Sequence, residues 1–167
     1  MHTAEFWISN LGLERHPEGG WYRETYRSSG SFGFGENSSF GSARSFATSI
    51  YYLLESGDRS RLHRILSDEQ WFFHAGSPLE VHCFPEIGEP ASFTLGIDPD
   101  AVQLPHSWVP AECFFGARLQ EPAPPGAYAL VSCVVAPGFD FRDFSFADRS
   151  AMIARFPYHA RIIEKLS

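Results

Sequence analysis

The residues best suited to chemistry lie in one stretch, GDRSRLHRILSDEQWFFHAG, residues 57–76. His63 is followed two positions later by Ile65, and Glu69 stands four positions beyond that. On a strand, side chains at i and i+2 share a face, so a pair of donors at this spacing can grip one metal ion. An acid returned by the next antiparallel strand supplies a third ligand, and a distant strand supplies a fourth. Mixed imidazole and carboxylate ligation suits iron, manganese, nickel or zinc. Here the second donor position holds a hydrocarbon, Ile65.

The spacing of Gly57, His63, Glu69 and Gly76 resembles the first conserved motif of the cupin superfamily. Its second motif, Pro-x-Gly-x-x-His, falls on VPAECFFGARL, where Pro110 matches, Glu112 stands at the Gly position and Phe115 at the His position. The stretches HPEGGWYRETYRS and VAPGFDFRDF are similar to the ends of one branch, the small single-domain cupins of unknown function. The resemblance implies an all-β jelly-roll barrel or sandwich over residues 1–167, and a homodimer. Of the four metal-ligand positions it implies, only His63 and Glu69 carry donors, because Ile65 and Phe115 have no lone pair to give. Catalytic metal sites usually keep three protein ligands and structural ones four, so no metal cofactor is expected. Alternation from Glu69 puts Trp71 and Phe73 on the acid's face and turns His74 away, unless a β-bulge shifts the phase.

A metal-free barrel would place His63 and Glu69 together in a cavity lined by Ile65, Trp71, Phe73, Cys113 and Phe115. Either Arg23 or Glu24 joins them from the opposite sheet, since neighbours on a regular strand alternate. His63 is the natural acid or base near neutral pH, and Glu69 could fix its tautomer or act as the base itself. Such a pair can abstract a proton next to a carbonyl, the chemistry implied by the likeness to metal-free sugar-nucleotide epimerases of the cupin fold. Two other readings stay open. One is a non-catalytic module holding an apolar or aromatic small molecule. The other is a metal-dependent enzyme using His63, Glu69 and a further ligand.

The elements that must position these residues follow from periodicity. TAEFWISNLGL has helical spacing and a Gly12 stop, and ERHPEGG is a turn by composition. WYRETYRS alternates as a strand, with Arg23, Thr25 and Arg27 on one side and Tyr22, Glu24 and Tyr26 on the other. Residues 28–45, rich in Ser, Gly and Phe, form a flexible loop by composition. From residue 46 short strands recur between turn signals: FATSIYYLLE, RLHRIL, EQWFFHAG, LEVHCFP, ASFTLGI, AVQLP, HSWVPAECFFGARL, GAYALVSCVVAP and FDFRDFSF. That rhythm belongs to an all-β sandwich or barrel. The tail turns helical, with Asp148 as a cap and Pro157 as an interruption.

Composition excludes some partners. The formal net charge is −7, and Lys165 is the sole lysine beside 12 Arg. No basic stripe exists to neutralise a phosphate backbone, so nucleic acid is not an expected partner. Cys83, Cys113 and Cys133 form no CxxC pair and read as small buried hydrophobes in a reducing compartment. No run nears the roughly 20 apolar residues of a membrane helix, and MHTAEFWISNLGL lacks a basic leader followed by an apolar stretch. A soluble, cytoplasmic chain with a small-molecule ligand is the expectation.

Overall fold

The computed structural model describes residues 2–35 and 38–167. Helix α1 (Ala4–Leu11) starts at Thr3, whose hydroxyl accepts the Phe6 N–H, and stops at left-handed Gly12. Strands β1 (Glu14–Arg15) and β2 (Trp21–Arg27) follow, then β3 (Ser31–Phe32) and β4 (Arg44–Ser45), which pair as a small separate sheet. The body comprises β5 (Thr48–Glu55), β6 (Arg59–Arg64), β7 (Asp68–Gly76), β8 (Leu79–Phe84), β9 (Ala91–Leu95), β10 (His106–Val109), β11 (Phe114–Leu119) and β12 (Tyr128–Ala136). The chain closes with β13 (Ser145–Phe146), α2 (Arg149–Arg155) and α3 (Ala160–Lys165). Asp148 caps α2 by accepting the Ala151 N–H at 2.7 Å.

Strands β5 to β12 switch between two sheets at each step except from β8 to β9. One has the order β1-β2-β5-β12-β7-β10 and the other β13-β6-β11-β8-β9. This is the jelly-roll arrangement, with antiparallel neighbours throughout the body. The inner faces carry alternating apolar side chains, and Leu54, Trp71, Val81, Val109, Phe115 and Val131 close the core between the sheets. A second cluster places α1 and Leu13 against Leu53 and Leu130 on the outer face of the larger sheet. A third packs α2 and α3 on Leu62 and Phe84.

Two segments differ from the sequence reading. AVQLP forms no strand; Pro99–Ala101 is a 3-10 turn, started by the Asp98 carboxylate accepting the Asp100 N–H. FDFRDFSF is a strand only at its end, as β13; before it Phe141–Asp143 forms another 3-10 turn, because Asp140 captures the Arg142 N–H and competes with strand pairing. The Ser/Gly/Phe segment, expected as a loop over residues 28–45, contains β3 and β4. Its residues 36–37 lie outside the described residues. At its end Arg44 is buried, with Nε 2.6 Å and Nη2 2.5 Å from the two oxygens of Asp143. Further bonds run to the Phe40, Ser42 and Ala43 carbonyls.

Candidate functional site

A cavity of about 370 Å³ opens between the inner face of β2, β5 and β12 and a cover made of the 16–18 turn, His63 on β6 and the 139–141 turn. The volume suits a small ligand of sugar size. Its chemistry centres on Glu18, which the sequence reading left inside a plain turn.

The turn is fixed from several sides. His16 and Gly20 bond across it, the Glu18 carbonyl accepts the Arg61 N–H, and the Pro17 carbonyl accepts the Arg61 guanidinium. Gly19 has φ +116°, and a Cβ there would sit 2.1 Å from the Arg59 carbonyl oxygen. Only glycine allows the turn to lie this close to β6. Glu18 thereby points inward and is buried. Oε1 accepts the Ser60 hydroxyl at 3.0 Å, and Oε2 lies 3.1 Å from His63 Nε2.

His63 is held on every side. Its ring packs between Phe115 (centroids 4.2 Å apart) and Phe144 (4.9 Å). Nδ1 is 2.7 Å from the Arg61 carbonyl, which can only accept, so Nδ1 carries a proton. The contact between Nε2 and Glu18 then requires one further proton shared by the pair. A shared, buried proton is what a proton-transfer site needs. Ser60 and His63 both reach Glu18 through an irregularity in β6. Two steps on β11, Phe115 to Ala117, face three on β6, His63 to Ser60. Regular alternation would have sent the two side chains to opposite faces.

His16 adds a neutral imidazole. Its Nδ1 accepts the Glu18 N–H at 3.2 Å, leaving Nε2 as the N–H, and burial lowers its pKa. Glu69, on β7, lines the same cavity. Burial, then the nearby Glu18 charge, pushes its pKa up to about 8, so its carboxyl is a neutral acid near pH 7. The adjacent Cys133 thiol is pushed up by burial and by Glu69, and stays protonated.

A stability effect follows from Glu69. Its folded pKa exceeds the ordinary 4.5, so the folded state holds more protons than the unfolded one between about pH 4.5 and 8. This contribution is full below the unfolded value and is lost as pH rises through the folded one. Unfolding free energy, measured by urea titration from about pH 5 to about pH 8, is expected to fall more steeply in the wild type than in Glu69→Gln. Parallel profiles would refute it.

The placement of the residues singled out in the sequence requires corrections. His63 and Glu69 share the cavity, but no ion pair joins them; Glu18 is the carboxylate at His63. Glu24 lines the cavity, whereas Arg23 faces away and donates to the Leu11 carbonyl. Ile65, Trp71, Cys113 and Phe115 do not line it. They fill the barrel core as buried apolar groups, and Phe73 packs against them half-buried. The barrel is solid where an aromatic-walled pocket was expected, and the open space lies towards β2. Arg27, assigned by alternation to the face opposite Glu24, joins it. Thr25 is an extra residue in the β2–β5 register, and past it Arg27 forks onto Glu24 at 2.9 and 2.6 Å. His74 sits at a similar extra position in β7 and bonds outward to the Ser132 hydroxyl.

The donors do not fit a metal centre. Both His63 nitrogens are engaged, and of the other three ligand positions of the cupin pattern only Glu69 carries a donor, the rest being Ile65 and Phe115. Among the described residues no three His, Cys, Asp or Glu side chains are placed to hold an ion.

The chain is 30% identical over 146 residues to YML079W, an uncharacterised protein of Saccharomyces cerevisiae, spanning 83% of this chain and 72% of that one. Among solved structures it is similar to protein SO0799 of Shewanella oneidensis, at 38% identity and TM-score 0.86, covering 100% of this chain and 98% of that one. A hypothetical protein of Leishmania major matches at 34% identity and TM-score 0.89, with 99% of each chain covered. The oxalate decarboxylase of Bacillus subtilis shares the fold at 14% identity and TM-score 0.54, over 92% of this chain and 36% of that one. The sequence model of the family Cupin_5, described as Cupin superfamily (DUF985), matches residues 5–147, so the chain belongs to this family of cupins.

Proposed function

We propose that this cupin is a metal-independent enzyme that moves a proton on the carbon next to a carbonyl in a small carbohydrate-like molecule. The observation that carries the reading is the buried Glu18–His63 pair, 3.1 Å apart on the wall of the cavity, with Glu69 in the same space. Glu18, as the carboxylate, takes the proton from the C–H bond, while the proton of the pair rests on His63 and steadies the Glu18 charge. The electron pair moves onto the carbonyl oxygen, which accepts a hydrogen bond from the neutral carboxyl of Glu69. Returning the proton to the opposite face, or to the neighbouring carbon, gives an epimer or an isomer. A carboxylic acid kept neutral by burial is a known solution for stabilising an enolate oxygen.

The test is incubation in deuterated water with a panel of small aldoses and ketoses, read by loss of the C–H proton signal next to the carbonyl. Exchange with one of them supports the reading. Tight binding of a ligand with no exchange from any would make the protein a binding module instead.

The same reading includes a homodimer in the cytoplasm. Strand β10 is an open edge of the larger sheet and presents the half-exposed Trp108, a combination that pairing with a second copy would cover. Three buried, unpaired cysteines suit a reducing compartment. Among the described residues no helix is long and apolar enough to cross a membrane. Sedimentation is expected to give twice the 18.7 kDa chain mass, and a monomer would refute the pairing.

A further inference from the structure

The cavity has a charge and a rim that say more about its ligand. Five carboxyl side chains line it: Glu14, Glu18, Glu24, Glu69 and Asp140. Among the described lining residues the one permanent cation is Arg27, and both arms of its guanidinium are taken, by Glu24 and by the Phe139 carbonyl. Arg142 forks onto Asp140 from outside. Among the described residues no guanidinium or ammonium is left facing the space. A phosphate or carboxylate entering it would lose its hydration, find no free cation, and meet Glu14, whose charge no cation among the described residues offsets. The pyrophosphate of a sugar nucleotide is thus poorly matched, although that class is the one the cupin-fold epimerases suggest.

Three further features point to a ligand of opposite sign. Tyr22, Phe139, Phe141 and His16 form an aromatic rim, with His16 edge-on to Tyr22 at 4.5 Å and Phe139 edge-on to Phe141 at 5.0 Å. Ring faces beside carboxylates attract an ammonium group, the faces by their quadrupole and the acids by their charge. Glu69 is 8% exposed, and its one side-chain hydrogen-bonding neighbour among the described residues is the Cys133 thiol. Most of its oxygen capacity is therefore free for a ligand. Glu14, at the mouth, lies beside the Tyr22 hydroxyl with no cation paired to it among the described residues.

We infer that the molecule taken by this cavity is a cation, a protonated amine on a sugar-sized skeleton, whose ammonium sits at the mouth among Glu14, Asp140, Tyr22 and Phe141 while its hydroxyls reach Glu18 and Glu69. The inference rests on the reading of the cavity as a small-molecule site, and it is tested by binding alone.

Isothermal titration calorimetry in buffer containing a chelator compares glucosamine, glucose and glucose 6-phosphate. Glucosamine is expected to bind about tenfold or more tightly than glucose, and glucose 6-phosphate not to bind. Raised salt is expected to weaken glucosamine alone. In the double variant Glu14→Gln, Asp140→Asn the preference for the amine is expected to shrink to about twofold. Equal affinity for glucose, tighter binding of the phosphate, no measurable binding of glucosamine, or a preference unchanged in the double variant would each overturn the inference. Selective amine binding without hydrogen exchange in any carbonyl compound would remove the acid–base reading and leave the charge class standing. Exchange confined to neutral or anionic sugars would do the reverse.

Discussion

Glu18→Gln is expected to slow solvent hydrogen exchange into the substrate by about 10²- to 10⁴-fold, the range that one general base contributes. The substitution preserves shape. The amide oxygen can still accept the Ser60 hydroxyl, and the amide N–H can donate to His63 Nε2, whose partner atom already lies at 3.1 Å. What disappears is the shared proton, since an amide neither takes nor releases one at neutral pH. The variant should therefore fold with a melting temperature near that of the wild type and still bind ligand. His63→Gln, which cannot hold the positive charge beside Glu18, is expected to fall into the same range. Exchange unchanged in Glu18→Gln, with folding intact, would show that Glu18 is not the base.

The second large effect concerns stability. Arg44→Leu is expected to cost about 3–5 kcal/mol, because it leaves Asp143 buried without its cation. The side chains of this pair are 2% and 5% exposed, so solvent cannot take over the lost bonds. For a chain of 167 residues, roughly 2–4 °C per kcal/mol places the loss in melting temperature at about 10 °C. Replacing both partners, Arg44→Leu with Asp143→Leu, is expected to recover much of the loss, since no uncompensated charge remains. Equal losses in the single and double variants would mean that the bonds to the Phe40, Ser42 and Ala43 carbonyls matter more than the ion pair. Asp143 closes the turn that carries Phe139 and Phe141 into the cavity, so the single variant should also weaken ligand binding.

The jelly roll was legible because its strands obey local rules. LEVHCFP and GAYALVSCVVAP carry apolar runs between Gly and Pro punctuation, and both became strands within two residues of the expected ends. The two motifs resembling cupins marked His63 and Phe115 as ligand positions of one site, and they are Cα partners in the structure. The partner of His63 was not legible. A Glu in a turn carries no periodicity, and its burial depends on how the turn meets a strand 40 residues later. One sign was present. Two consecutive glycines, Gly19 and Gly20, both adopt positive φ against neighbouring backbone, and such a pair beside a titratable residue marks a close approach worth testing. Arg27 escaped for a different reason. Alternation counts residues evenly, and Thr25 breaks the count.

The two-against-three step between β11 and β6 has an evolutionary corollary. Loss of a single codon between Ser60 and His63 would leave them two positions apart, where plain alternation already turns both towards Glu18, whereas straightening β6 at its present length would part them. Lineages of this family can therefore carry the same acid–base pair at either spacing, and an alignment that forbids a one-residue gap here would record the pair as lost where it is kept.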